Sequence, residues 1–137
     1  MTASYNKFYS FPQKLTDKAI SLATDTFKIM LTNVAPVATN AVKADLTEIT
    51  THNGYSAGGT ATTITESAAS GTVTEKGSTV VFTASGGTIG PFRYVVFYDS
   101  TTNDLIGWWD YGSSITLNDT ETFTATFDGT LGIFQLS

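Results

Sequence analysis

The strongest pattern of apolar and polar positions in the chain lies between residues 92 and 112. Two runs rich in aromatic and β-branched residues flank a polar segment, residues 99–104. This arrangement is typical of an antiparallel β-hairpin. Because side chains alternate between the faces of a strand, Phe92 and Tyr98 are expected on one face and Val95 on the other. Both faces carry large apolar groups, so we predict that this hairpin lies at the centre of the core.

Short alternating runs separated by turn residues continue along most of the chain. With the two hairpin strands, 92–98 and 105–111, the predicted strands are 26–32, 60–66, 71–75, 79–84, 114–117, 121–127 and 130–136. Asp128-Gly129 predicts a hairpin between the last two. About nine strands suffice for two packed sheets. The predicted fold class is therefore all-β, a two-sheet β-sandwich of jelly-roll type.

The N-terminal segment has a different pattern. Tyr5, Phe8 and Tyr9 have helical spacing, and Pro12 is expected to interrupt the run at Phe11. This predicts a helical turn, a bend and a short helix. We therefore divide the chain into an N-terminal arm, residues 1–22, and a β-sandwich domain, residues 23–137. The arm's aromatic residues either pack on the chain's own body or dock on a neighbouring protein, and the pattern leaves both alternatives open.

The charge distribution separates the same two regions. Residues 1–43 carry five lysines and two acids, a net charge of +3, whereas residues 44–137 carry two basic and ten acidic residues, a net charge of −8. A basic segment on an acidic body favours contact with an acidic partner surface. The acidic body gives no continuous basic surface for phosphates, so a nucleic-acid partner is not expected. The apolar runs are too short to span a bilayer, so we expect a soluble protein with no membrane partner.

The residues with catalytic or ligand-binding chemistry do not form a recognisable catalytic set. The chain has no cysteine and one histidine, His52, in a glycine-rich loop that is typical of local backbone hydrogen bonding. Asp99, Asn103 and Asp104 could bind calcium, but Asp and Asn are also ordinary turn residues. The glycine-rich stretch 86–90 links two strands and is a weak match to a phosphate-binding loop. We therefore predict no enzymatic activity, no metal and no cofactor.

Two interpretations fit the adjacent residues Trp108, Trp109 and Asp110. Adjacent tryptophans beside a carboxylate could bind a sugar, which would make the protein a glycan-binding module, and Asp110 could serve glycoside chemistry. The interpretation that we favour is a pair of core tryptophans with Asp110 at the polar end of the strand.

Several stretches, taken in order, resemble the capsid cement (decoration) proteins of tailed bacteriophages. They include residues 6–15, 19–31, 94–99, 105–112 and 133–136. The most specific is Asp45-Leu46-Thr47-Glu48-Ile49 followed by Gly54-Tyr55-Ser56-Ala57-Gly58-Gly59. The chain departs from the family pattern at Pro12 and in the threonine-rich residues 60–84. The resemblance implies a jelly-roll-like β fold, no enzymatic activity and a location in the virion, on the outer surface of the capsid.

This resemblance implies a structural protein that clamps neighbouring major capsid proteins. Copies of the chain are expected to form a dimer or trimer, and the edge of strand 26–32 is a candidate for strand addition. The predicted partner-binding residues lie in the basic aromatic arm: Tyr5, Lys7, Phe8, Tyr9, Phe11, Lys14 and Lys18. A phage tail or baseplate component and the glycan-binding module remain as alternatives.

Overall fold

The protein, described by a computed structural model over residues 3–137, consists mainly of antiparallel β-strands. In chain order the elements are β1 (Tyr5–Lys7), α1 (Phe11–Thr16), β2 (Phe27–Thr32), a 3₁₀ helix (Lys43–Asp45), β3 (Thr60–Thr62), β4 (Ile64–Ala69), β5 (Thr72–Gly77), β6 (Val80–Thr83), β7 (Ile89–Asp99), β8 (Asp104–Leu117), β9 (Thr122–Ala125) and β10 (Phe134–Leu136). The predicted all-β class is confirmed.

The strands form three sheets. The largest has the order β1-β8-β7-β2-β3, the second has the order β10-β5-β4, and β6 pairs with β9. The predicted hairpin is confirmed as β7 and β8, which pair along most of their length at the middle of the largest sheet. Both of its faces are covered by apolar side chains. For this reason the hairpin sequence has apolar residues at consecutive positions and does not alternate strictly between apolar and polar residues.

The distribution of side chains between the two faces differs from strict alternation. Phe92 packs in the same cluster as Val95 and Phe97, because the pairing of β7 with β8 shifts between Phe92 and Tyr94. A second shift near Ile106 places that residue in the same cluster. Such β-bulges insert unpaired residues and rotate the side chains that follow. The prediction that Phe92 and Tyr98 share a face is therefore wrong.

The main core lies between the largest sheet and the two smaller sheets. Phe92 packs edge-on against Phe123, with 5.1 Å between the ring centroids, and Tyr55 lies 5.7 Å from Phe82. A second, smaller cluster covers the opposite face of the largest sheet and contains Phe8, Met30, Val96, Tyr98 and Leu105. The largest sheet is consequently buried on both sides.

Two predictions about the ends of the chain are wrong. Residues 5–7 form a strand rather than a helical turn, and Pro12 lies in the first turn of α1 instead of ending a helix at Phe11. Proline is favoured there because the first amide groups of a helix have no partner within it. The Asp128-Gly129 hairpin does not form, since β9 pairs with β6 and β10 pairs with β5.

Candidate partner-binding surface

The N-terminal aromatic residues divide into buried and exposed ones. Phe8 is 0% exposed and lies 4.5 Å from Trp108, while Phe11 is 3% exposed and lies 5.3 Å from Phe134. Both side chains therefore pack on the chain's own body, which answers the question that the sequence left open. The assignment of Phe8 and Phe11 to a partner contact is corrected, because neither ring is accessible in this fold.

Tyr5 is half-buried beside the central hairpin. Its ring lies 5.4 Å from Trp109 and so close to Gly107 that a side chain at Gly107 would overlap it. The Tyr5 hydroxyl is buried and meets no hydrogen-bond partner within residues 3–137. Burial raises the pKa of Tyr5. Tyr5 also lines two cavities.

Three of the predicted partner-binding residues lie on the surface: Tyr9, Lys7 and Lys18. Tyr9 is 71% exposed, the largest exposure among the large apolar side chains of the described chain. Lys7 and Lys18 are also exposed. Lys14 is partly exposed and its ammonium group lies 3.1 Å from the carboxylate of Asp104, so Lys14 is already paired within the chain.

Tyr9 lies next to a loop that carries two exposed valines. Its amide donates a hydrogen bond of 2.9 Å to the carbonyl oxygen of Ala38, which brings Tyr9 beside the loop that contains Val34 and Val37. Both valines are more than half exposed. We call Tyr9, Val34 and Val37 the Tyr9 patch. Neither valine was predicted as a partner contact, because a long-range backbone hydrogen bond, and not sequence proximity, places them near Tyr9.

The strand that was proposed for strand addition is not at a sheet edge. β2 pairs with β7 on one side and β3 on the other, so its backbone is occupied. The outer strands of the two larger sheets are β1, β3, β10 and β4. Strand addition at residues 26–32 is therefore excluded in this fold.

A buried polar network holds the loop that carries the most specific stretch of the family resemblance. One carboxylate oxygen of Glu48 accepts hydrogen bonds from the Tyr55 hydroxyl (2.6 Å) and the Gly58 amide (2.5 Å), and the other oxygen lies 3.1 Å from the Lys43 ammonium group. Tyr55 in turn accepts a bond from the Leu31 amide in β2. The network fixes residues 43–58 against the largest sheet, which gives this stretch a structural role.

Trp108 and Trp109 do not form one surface. Trp108 packs against the cluster containing Phe8, whereas Trp109 packs against the main core and lies 5.5 Å from Phe127. Asp110 forms two hydrogen bonds with the Arg93 guanidinium, at 2.8 and 3.0 Å. This pairing lowers the pKa of Asp110, so its carboxyl group is poorly suited to act as a general acid. The alternative of a sugar platform shared by the two tryptophans is therefore wrong, and each tryptophan packs against a hydrophobic cluster, as the favoured interpretation predicts.

Trp109 instead lines a cavity of about 610 Å³ between β8 and the segment that follows β9. Besides Trp109, four aromatic rings line it: those of Tyr5, Tyr111, Phe123 and Phe127. This volume is within the range of small-ligand sites. A neighbouring cavity of about 420 Å³ lies between β1, α1 and β10.

The remaining candidate residues take part in local structure. The Nδ1 atom of His52 lies 2.6 Å from the Thr50 carbonyl oxygen, which confirms its interpretation as a loop residue. Asp99 accepts a bond from the Thr101 amide and so shapes the turn between β7 and β8. The Gly86 amide donates to the Asp119 carboxylate. In the described part of the chain, no group of three His, Cys, Asp or Glu side chains is placed to hold a metal ion.

Glu75, Asp99 and Asp104 are buried carboxyl groups, and burial raises the pKa values of the first two. Glu75 is 1% exposed, and within residues 3–137 neither of its carboxyl oxygens has a hydrogen-bond donor. Burial, together with the cross-strand neighbour Glu66, raises the pKa of Glu75 to about 7. Burial and contact with Asp25 likewise raise the pKa of Asp99 to about 7, while that of Asp25 is lowered. Glu75 and Asp99 are therefore expected to hold a proton in mildly acidic solution.

Comparisons with protein families, with curated proteins and with solved structures give no match to this chain. Within residues 3–137, no helix has the length and apolar character needed to cross a membrane.

Proposed function

We propose that this protein is a bacteriophage capsid cement protein with a sandwich of jelly-roll type, in which the two smaller sheets together form the layer opposite the largest sheet. It binds the outer surface of the phage head and clamps neighbouring major capsid proteins. The observation that carries the proposal is the Tyr9 patch, an exposed apolar surface on a small acidic β protein. The ordered resemblance to phage cement proteins gives the patch its expected partner, the major capsid protein.

The composition of the patch suits repeated attachment to a lattice. Tyrosine supplies a large contact area with little loss of side-chain freedom, and valines lose little entropy when they are buried. A stable contact needs about 800 Å² per partner, so the patch would form the centre of a wider interface. Linked copies on a lattice make later contacts effectively intramolecular, so each single contact can be modest.

The decisive experiment adds purified protein to mature phage heads that lack it. We expect saturation at a fixed number of sites per head and a higher temperature of head disruption, because a ligand of the assembled state stabilises that state. Tyr9→Ser should reduce binding at least about tenfold, which corresponds to about 1.4 kcal/mol. Val81→Ser, at an exposed valine outside the patch, is the matched control and should bind normally.

The same experiment separates this proposal from the alternatives. Heads that bind no protein, or bind it without a change in disruption temperature, would contradict the cement role. Detection of the protein in the tail by labelled-particle microscopy would then favour a tail or baseplate component.

The aromatic cavity supports a second candidate, a glycan-binding module in which Trp109 and Tyr111 stack against a sugar ring. Trp109 lines the cavity and Trp108 does not. Because the chain has two tryptophans, the emission of the Trp108→Phe variant comes from Trp109. A shift in its tryptophan emission on addition of oligosaccharides would support this candidate. Emission that is unchanged across a glycan panel would count against it.

A further inference from the structure

Two outer strands leave one side of their backbone without a partner strand. β4 is the outer strand of the three-stranded sheet, and all its residues after Ile64 are exposed. Its sequence, ITESAA, contains no proline and no lysine. β1 is the outer strand of the five-stranded sheet. The outer strand of a sheet presents unpaired amide and carbonyl groups to other chains.

The backbone of β1 is oriented for such pairing. The Phe8 amide donates to the Ile106 carbonyl oxygen, and Asn6 lies opposite Trp108 in the same register. In an antiparallel pair, hydrogen-bonded and non-bonded positions alternate. Asn6 therefore bonds to β8, whereas the amide and carbonyl groups of Tyr5 and Lys7 point away from it.

The two edges carry opposite charges. Lys7 is the charged residue of β1 and is exposed, and Glu66 is the acidic residue of β4 and is exposed. Neither takes part in the ion pairs formed within residues 3–137. Glu66 also lies beside the buried Glu75, so this position holds two carboxyl groups without a paired cation in the described chain. A cation supplied from outside would offset their repulsion.

We propose that β1 of one copy pairs with β4 of a second copy, antiparallel and with Lys7 opposite Glu66. This register places Asn6 opposite Ser67 and Tyr5 opposite Ala68. The 420 Å³ cavity beside Tyr5 and Lys7 leaves room for side chains of the incoming strand. Opposite charges that face each other across strands are stabilising.

The contact joins different surfaces of the two copies, so it is a head-to-tail contact. It produces a closed ring if the rotation between copies closes, and an open chain if it does not. The five-stranded sheet of one copy then continues into the three-stranded sheet of the next. This self-association does not depend on the cement role, and it uses neither valine of the Tyr9 patch.

Charge reversal tests the pairing directly. Light scattering and sedimentation across a concentration series in low salt should show reversible association of the unmodified protein. Lys7→Glu and Glu66→Lys should each weaken association at least about tenfold, a change of about 1.4 kcal/mol. The double variant, with both charges exchanged, should regain most of the association. Lys18→Glu is the control for an exposed lysine outside β1 and should associate normally.

Circular dichroism melts of each variant check that the fold is retained, which is expected because both side chains are exposed. A protein that stays monomeric at every concentration would overturn the proposal. So would single variants that associate like the unmodified protein, or a double variant no better than the single ones.

Discussion

At the scale of single residues, Glu75 is the group whose surroundings differ most from those of an ordinary surface carboxylate. Its carboxyl group is buried beside Glu66, and its pKa is raised to about 7 from a usual value of 4.5. Between these two pH values the folded chain holds a proton that the unfolded chain has released. The stabilisation from this group is therefore complete below about pH 4.5 and is lost as the pH rises through 7.

We predict that the free energy of unfolding falls as the pH rises from 5 to 8. Glu75→Gln, which keeps the shape of the side chain and removes its charge, should raise stability at pH 8 by on the order of 1 kcal/mol and make the dependence on pH shallower. Asp99, whose pKa is also raised to about 7, should leave a residual slope. Denaturant melts at each pH give the measurement, and the exposed Asp17→Asn serves as control.

At lower pH, the free energy of unfolding is expected to rise with increasing pH. Backbone hydrogen bonds lower the pKa values of Asp45 and Asp128, and the Arg93 guanidinium lowers that of Asp110. Groups of this kind contribute stability above their usual pKa of 3.8 and lose it as the pH falls. Stability should therefore be greatest in mildly acidic solution. A maximum at pH 8 would contradict the assignment of Glu75 and Asp99 as buried, protonated groups.

At the scale of elements, the N-terminal segment shows how neighbouring aromatic residues serve different ends. Phe8 follows β1 and fills the cluster beneath Trp108, whereas Tyr9 faces solvent. Adjacent residues of the segment therefore have different environments: Phe8 is buried in the core and Tyr9 is exposed on the surface.

We predict that Phe8→Ala lowers the free energy of unfolding by about 3–5 kcal/mol, because it leaves a cavity among well-packed side chains. Tyr9→Ala, one residue later, should change it by less than about 0.5 kcal/mol. Chemical denaturation of the two variants measures both values. Equal effects would show that the segment does not pack as described.

The sequence predicts the elements whose signal is local and misses those that depend on distant partners. Alternation and turn residues locate the hairpin of β7 and β8 and most of the other strands. The same local signals assign residues 5–9 to a helix, because only pairing with β8 makes residues 5–7 a strand. Bulges reverse the expected face of Phe92, and they leave little trace in composition. The Tyr9 patch depends on a contact between Tyr9 and Ala38 that no local pattern contains.

At the scale of the whole molecule, the N-terminal segment packs against both faces of the largest sheet. Phe8, directly after β1, and Phe11, in α1, belong to two separate apolar clusters. Their removal therefore weakens both faces of the largest sheet. A division of the chain at residue 22 describes its charge better than it describes its folding.

We predict that the full chain unfolds in a single calorimetric transition, and that deletion of residues 1–14 lowers the midpoint by at least about 10 °C. Each kcal/mol shifts the midpoint of a domain of this size by roughly 3–6 °C, and the deletion removes two buried rings. The double variant Lys7→Ser and Tyr9→Ser, which changes two exposed residues of the same segment, is the control. A deletion protein that melts like the full chain would restore the independent-arm description.

The pairing of β1 with β8 also has a consequence for biosynthesis. Asn6 and the Trp108 residue that it contacts are 102 positions apart in the chain. At translation rates of about 5–20 residues per second, β1 leaves the ribosome roughly 5–20 seconds before its partner strand exists. During that interval Phe8 and Phe11 have nothing to pack against, and an apolar nascent segment is prone to aggregate. Lys7, Lys14 and Lys18 are interspersed among these rings, and charges placed in this way keep such a segment in solution. On this argument we expect the lysines of this segment to keep the nascent chain in solution, in addition to any role on the surface of the folded protein.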